Sequence, residues 1–164
     1  MKIGNVIILA AALLGSKSFA QGTITALNCS SSTNIGLLNS GISAIGVSSL
    51  ITYSGGNGGA YSAQTKPSTG ITGLTATMSP GTFANGAGVL TYVITGTPSG
   101  VGTASFALHI GGRSCNLTRA VYPIGTISAL NCGSAIHNGT LTAGIAASSV
   151  NSYVPYTGGN GGTY

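Results

Sequence analysis

Three cysteines carry the most definite chemistry in this chain. Cys29 and Cys132 each end the tetrapeptide Ala-Leu-Asn-Cys and stand 103 positions apart, whereas Cys115 has no such twin. An exported protein would oxidise two of the three. In an extended register Cys29 shares a face with Leu27, and Cys115 shares one with Leu117, so both sulfurs can enter one core. That favours Cys29–Cys115, with Cys115–Cys132 as the alternative pairing, since sequence alone does not fix connectivity. Across the 86-residue loop the first bond contributes at most about 4–5 kcal/mol in the chain-entropy description.

The second place where residue types suggest chemistry is the loop Gly55-Gly56-Asn57-Gly58-Gly59, framed by Tyr53 and Tyr61. Tyrosines beside an adaptable polar loop can stack on sugar rings, making Tyr53, Asn57 and Tyr61 the candidate ligand-binding set. Packing of the rings at the loop base is the simpler reading. A phosphate-binding reading fails because no Lys-Ser or Lys-Thr follows the glycines. A metal site built on Cys132, His137 and His109 lacks the four convergent ligands that structural zinc requires, so no metal or cofactor is expected. The Thr-x-Thr pairs are dispersed along the chain, which suits exposed strands better than a flat ice-binding face. Three Asn-x-Ser/Thr sequons, at Asn28, Asn116 and Asn138, read as coincidental.

The chain contains no Asp or Glu. Paired carboxylates for glycoside hydrolysis, the acid of a Ser-His-Asp triad and a calcium cage are thereby excluded within these residues. No nucleophile and base stand in a motif either, and the expectation is that the protein is not an enzyme.

These residues sit in a chain with a long internal repeat. Gly22 to Tyr61 aligns without a gap on Gly125 to Tyr164, with 22 of 40 positions identical. A fixed long period marks an array of like units. It also assigns Ala-Leu-Asn-Cys to the repeat and not to a lipoprotein cleavage site. Ahead of the repeat, Lys2, an apolar run from Ile3 to Leu14 and Ser18-Phe19-Ala20 form a signal-peptide pattern with cleavage after Ala20. The run is shorter than the roughly twenty residues a membrane span needs, and no later stretch replaces it. The expected division is a leader over 1–20, a complete unit over 21–124 and the start of a second over 125–164. Loss of Lys2 and Lys17 lowers the net charge from +5 to +3, carried by Lys66, Arg113 and Arg119. Three scattered cations do not track a phosphate backbone, so nucleic acid is not an expected partner.

Apolar residues alternate with polar ones, the period of half-buried strands. In Val89 to Thr95, Leu90, Tyr92 and Ile94 share one face; Ala104, Phe106, Leu108 and Ile110 repeat the pattern. Gly111-Gly112 then supplies the positive φ of a tight turn leading into Arg113 to Val121. Breakers at Gly55–Gly59, Lys66-Pro67-Ser68, Ser79-Pro80-Gly81, Asn85-Gly86 and Thr97-Pro98-Ser99-Gly100 recur at roughly ten-residue spacing. Together these predict an all-β protein, an antiparallel β-sandwich of immunoglobulin type, with no helix. A β-helix would show a short coil-length period, which is absent.

The run Gly73-Leu74-Thr75-Ala76-Thr77, then Pro80-Gly81, Leu90 to Pro98 and Gly102 to Phe106, resembles the immunoglobulin-like domains strung in tandem through secreted surface proteins of Gram-negative bacteria. The resemblance covers most of Gly22 to Ile124. It implies a secreted or cell-surface location and a role as stalk, spacer or adhesive module, with neighbouring repeats as partners and an extracellular glycan or surface protein as a further one. It transfers no catalytic residue. The alternative is a carbohydrate-binding adhesin acting through Tyr53 and Tyr61. Because Tyr122-Pro123-Ile124 leads straight into the next unit, the units should be held end to end. The second unit, with 40 of the 103 residues in a period, should be poorly packed or borrow an edge.

Overall fold

In a computed structural model of the chain, residues 20–163 are described. The signal-peptide expectation lies outside them except for Ala20. The described residues are β-rich, and their single helical element is a 3-10 turn at Cys132–Ser134. In chain order the strands are β1 (Ala26–Ile35), β2 (Val47–Asn57), β3 (Ala60–Tyr61), β4 (Gln64–Pro67), β5 (Thr69–Gly70), β6 (Leu74–Met78) and β7 (Gly81–Thr82). They continue as β8 (Asn85–Gly96), β9 (Gly102–Ile110), β10 (Arg113–Val121), β11 (Ala129–Leu130), β12 (Ile136–Asn138), β13 (Asn151–Tyr153) and β14 (Tyr156–Thr157).

Two antiparallel sheets share one core. The first has five strands in the order β1-β2-β8-β6-β4, and the second runs β10-β9-β5. Leu90, Tyr92 and Ile94 of β8 are buried while Val89 and Val93 face out, so the period-2 pattern sets which side of the sheet is covered. Ala104, Phe106, Leu108 and Ile110 of β9 and Leu117 of β10 close the core from the other sheet. β9 and β10 pair from Arg113↔Ile110 to Val121↔Gly102, around Gly111 and Gly112 with φ of 58° and 77°. Positive φ at both central positions matches the twist of the flanking strands. Pro67 ends β4 at the margin of its sheet, where a missing N–H is tolerated.

Two breaker segments behave differently from the sequence expectation. Asn85-Gly86 is not a turn but the start of β8, and it pairs with Gly56 and Asn57 of β2. The Gly55–Gly59 segment is correspondingly split. β2 runs on to Asn57 after an irregularity between Tyr53 and Gly56, and the chain reverses at Gly58 and Gly59. Glycines permit this because a Cβ on Gly55 would stand 2.1 Å from Thr25 Oγ1, and one on Gly56 2.2 Å from the Ala84 carbonyl.

Beyond Ile124 the chain forms two small antiparallel pairs, β11 with β14 and β12 with β13. Their register copies that of β1 with β2, moved by the repeat length. Ala26↔Ser54 and Leu27↔Tyr53 become Ala129↔Thr157 and Leu130↔Tyr156. Asn34↔Ser49 and Ile35↔Ser48 become His137↔Ser152 and Asn138↔Asn151. Gly46, with φ of 66°, is matched by Ser149 at 56°, so even a position that disfavours side chains keeps its conformation.

Candidate functional site

The loop proposed for ligand contact is held by its own side chain. Asn57 Oδ1 accepts the backbone N–H of Thr23 at 3.0 Å and of Gly59 at 2.9 Å, and its Nδ2 donates to the Gln21 carbonyl at 3.2 Å. One amide thus joins the incoming chain to the end of β2, and its polar atoms are engaged within the fold. Tyr53 continues the inward series Val47, Ser49 and Ile51 and is 5% exposed. Its hydroxyl accepts the Ala84 N–H at 2.7 Å, and its ring meets Phe83 edge-on at 5.0 Å between centroids. Tyr61 packs on the other side of Phe83 at 4.7 Å. It is half-buried and borders an open groove of about 570 Å³ over β4, β6 and β8, lined also by Gln64, Thr65, Thr77, Met78 and Thr91. Of the three candidates, Tyr61 is the one whose ring borders open space; Tyr53 and Asn57 organise the loop.

Beneath that groove lies Tyr92, fully buried, with its hydroxyl donating to Gln64 Oε1 at 3.1 Å. Burial pushes its pKa up to about 12, with the nearby Tyr61 adding to the rise. Gln64 Nε2 in turn donates to the His109 carbonyl, linking β4 to β9.

The sulfur chemistry is settled by distance. Cys29 and Cys115 are disulfide-bonded with their Cα atoms 5.9 Å apart, which ties β1 to β10 across the open side of the sandwich. Cys132 is exposed and free. Neither histidine approaches it in a metal cluster: no such group of three occurs among the described residues. His109 instead shares a hydrogen bond with Ser114 at 2.8 Å, and His137 one with Ser152 at 2.7 Å.

Sequence reasoning missed Arg119, which is 4% exposed in a chain without a carboxylate. Its guanidinium is held by oxygen dipoles of β1, of Gly36 just after it and of β2. Nη2 donates to the Gly36 carbonyl at 2.6 Å and Nη1 to the Ser48 carbonyl at 2.7 Å and Ser49 Oγ at 3.0 Å, with longer bonds to the Ile35 carbonyl. Gly36, at φ of 73°, aims its carbonyl inward. Burial lowers the Arg119 pKa, since the charged form loses hydration, while Tyr122 partly offsets this. The signal was present in the alternation Cys115, Leu117, Arg119, Val121, which puts the arginine on the inner face of β10.

The junction between the repeats is also hydrogen-bonded. Tyr122 donates its N–H to the Leu38 carbonyl at 2.8 Å and accepts from Ser40 at 2.9 Å, while the Pro123 carbonyl accepts from Thr163 at 3.2 Å. Thr163 Oγ1 reaches Asn39 Oδ1 at 2.5 Å. The loop amide is repeated as well: Asn160 bonds Thr126, Gly162 and Ile124 as Asn57 bonds Thr23, Gly59 and Gln21. What the second hairpin lacks is cover. Tyr156 is 61% and Leu141 73% exposed, where their counterparts Tyr53 and Leu38 are 5% and 1%.

No family model, curated protein or solved structure matches the chain.

Proposed function

We propose that the chain is a non-enzymatic structural part of an exported cell-surface protein, in which immunoglobulin-like sandwiches are set end to end as a stalk or spacer. The observation that carries this reading is the junction. Tyr122 is bonded back to Leu38 and Ser40 of the first unit, and Thr163 reaches from the second unit to the Pro123 carbonyl and to Asn39, which supports a second unit that starts without a free linker. A disulfide tying β1 to β10 supports an oxidising compartment. No helix among the described residues is long and apolar enough to cross a membrane. The missing carboxylates argue against hydrolytic chemistry. Surface fractionation with amino-terminal sequencing tests the reading: it expects the protein outside the cytoplasm, beginning at Gln21. Recovery in the cytoplasm with Met1 or Lys2 retained would reject it.

A carbohydrate-binding adhesin is the second reading, and the groove bordered by Tyr61 is what favours it. Tyr53 would support that site from below through Phe83 rather than touch a sugar. A glycan array separates the two. Binding that disappears in Tyr61→Ala supports the adhesin, and absence of binding to any sugar leaves the spacer.

A further inference from the structure

The groove bordered by Tyr61 has a structural cause. β6 pairs with β8 from Leu74↔Gly96 to Thr77↔Val93, while β2 stays paired with β8 as far as Asn85. Ser79-Pro80 then carries the chain away from β8, because a proline, with fixed φ and no N–H, does not continue a strand flanked on both sides. The face of β8 at Thr91 and Val93 is left open beside the departing chain. Gly81 then makes room for Tyr61: a Cβ there would stand 2.7 Å from the Tyr61 hydroxyl oxygen, where that ring packs on Phe83.

The open space does not end at Tyr61. Tyr61, Ala63 and Gln64 also line a second space, of about 250 Å³, which reaches His109 and the Gly111-Gly112 turn. His109 in turn lines a third, of about 360 Å³, with Ser114 and Asn116 of β10. Gln64 fixes the middle of this path through its bonds to the Tyr92 hydroxyl and the His109 carbonyl. We infer that the three spaces form one binding track for a linear, uncharged polysaccharide, running from Thr91 over Tyr61 to His109 and Asn116. The inference deepens the adhesin reading and rests on it.

Three features select this ligand. None of the side chains along the track belongs to Lys, Arg, Asp or Glu, so nothing there pairs with a carboxylate or sulfate group. Its polar groups are hydroxyls, amides and one imidazole, which both donate and accept, as sugar hydroxyls require. Tyr61 is its one tyrosine, and packing on Phe83 holds the ring beforehand, which lowers the cost of ordering it on binding. The third feature is length. The path crosses β8, β6, β4, β9 and β10, and a strand spacing of about 4.8 Å makes it on the order of 20 Å long. That spans several sugar units.

The test is calorimetric titration of the full chain with cellobiose and cellohexaose, with the matching disaccharides and hexasaccharides of the xylan, mannan and maltose series, and with a galacturonate hexamer. We expect a neutral hexasaccharide to bind on the order of ten-fold tighter than its own disaccharide, the equivalent of one or two further hydrogen bonds. Tyr61→Ala should remove the binding of both. His109 is exposed, and His109→Ala should bring the hexasaccharide down to the disaccharide affinity while leaving the disaccharide where it was. Asn116→Ala repeats the test at the far end without touching the hydrogen bond between His109 and Ser114. Equal affinity for the two lengths, or parental binding in both His109→Ala and Asn116→Ala, overturns the track but leaves a sugar site at Tyr61. Binding of the galacturonate alone overturns the uncharged ligand. Binding of none of these glycans rejects the track together with the adhesin reading, and leaves the spacer.

Discussion

The Arg119 guanidinium donates to the Ser49 hydroxyl at 3.0 Å, and that hydroxyl donates in turn to the Asn34 side chain at 2.7 Å. A buried cation is thereby solvated by one hairpin, with no counter-ion in the sequence. The relation makes β10 and the β1–β2 hairpin mutually dependent. Without the hairpin the arginine loses its oxygens; without the arginine several inward carbonyls lose a donor.

Arg119→Lys should therefore be costly although it keeps the charge. Lysine has a point-like ammonium and no fork, so it cannot serve the Gly36, Ser48 and Ser49 oxygens together. Urea unfolding should show a loss of about 2–3 kcal/mol, the scale of lost hydrogen bonds to a charged group. An unchanged midpoint would mean that the carbonyl cradle contributes nothing to stability.

Tyr92 gives the protein an alkaline limit. Its pKa is pushed up to about 12 in the folded state, mainly by burial, against about 10 in the unfolded chain. A raised tyrosine pKa contributes stability that is complete below pH 10 and lost as pH rises towards 12, because only the unfolded chain ionises readily there. Stability should fall by about 2–3 kcal/mol across that interval. In Tyr92→Phe the same titration should be flatter, and an equally steep fall would assign the effect to other groups.

How much of this was legible beforehand depended on whether the cause was local. The faces of β8 and β9 follow from Leu90, Tyr92 and Ile94 and from Phe106 and Leu108, because a sheet covered on one side imposes period 2 directly on the residues. Gly111-Gly112 announces its turn for an equally local reason. The role of Asn57 was not legible: it bonds Gln21 and Thr23 more than thirty positions away, and nothing near Asn57 specifies that meeting. Arg119 was readable from Leu117 and Val121, but general expectation puts an arginine in water. Tyr53 likewise belongs to the inward series of β2, and the glycines beside it drew attention to the loop instead of the strand.

Asn57→Ala should detach the loop from the incoming chain. Three hydrogen bonds disappear together, leaving the Thr23 and Gly59 N–H groups to find water, at a cost of about 1–3 kcal/mol. Thermal denaturation measures the loss. Asn57→Asp, which keeps an acceptor for both N–H groups, should lie between the two, and an alanine variant as stable as the parent would remove the staple from the account.

Joint replacement of Cys29 and Cys115 by alanine should lower stability by up to about 4–5 kcal/mol, the figure for a loop of 86 residues. The measurement is chemical denaturation under non-reducing conditions beside Cys132→Ala, which should behave as the parent because that thiol is free. A large loss in Cys132→Ala would contradict the assignment of the bond.

The most direct measurement of the central claim, that residues 125–163 are an uncovered copy of the hairpin the first unit buries, is residue-resolved hydrogen exchange on the full chain. Exchange at Asn151 to Tyr153 should be on the order of a hundred-fold or more faster than at Val89 to Ile94 and Ala104 to Ile110, because the paired strands there have no packed face above them. Equal protection in the two regions would contradict the claim.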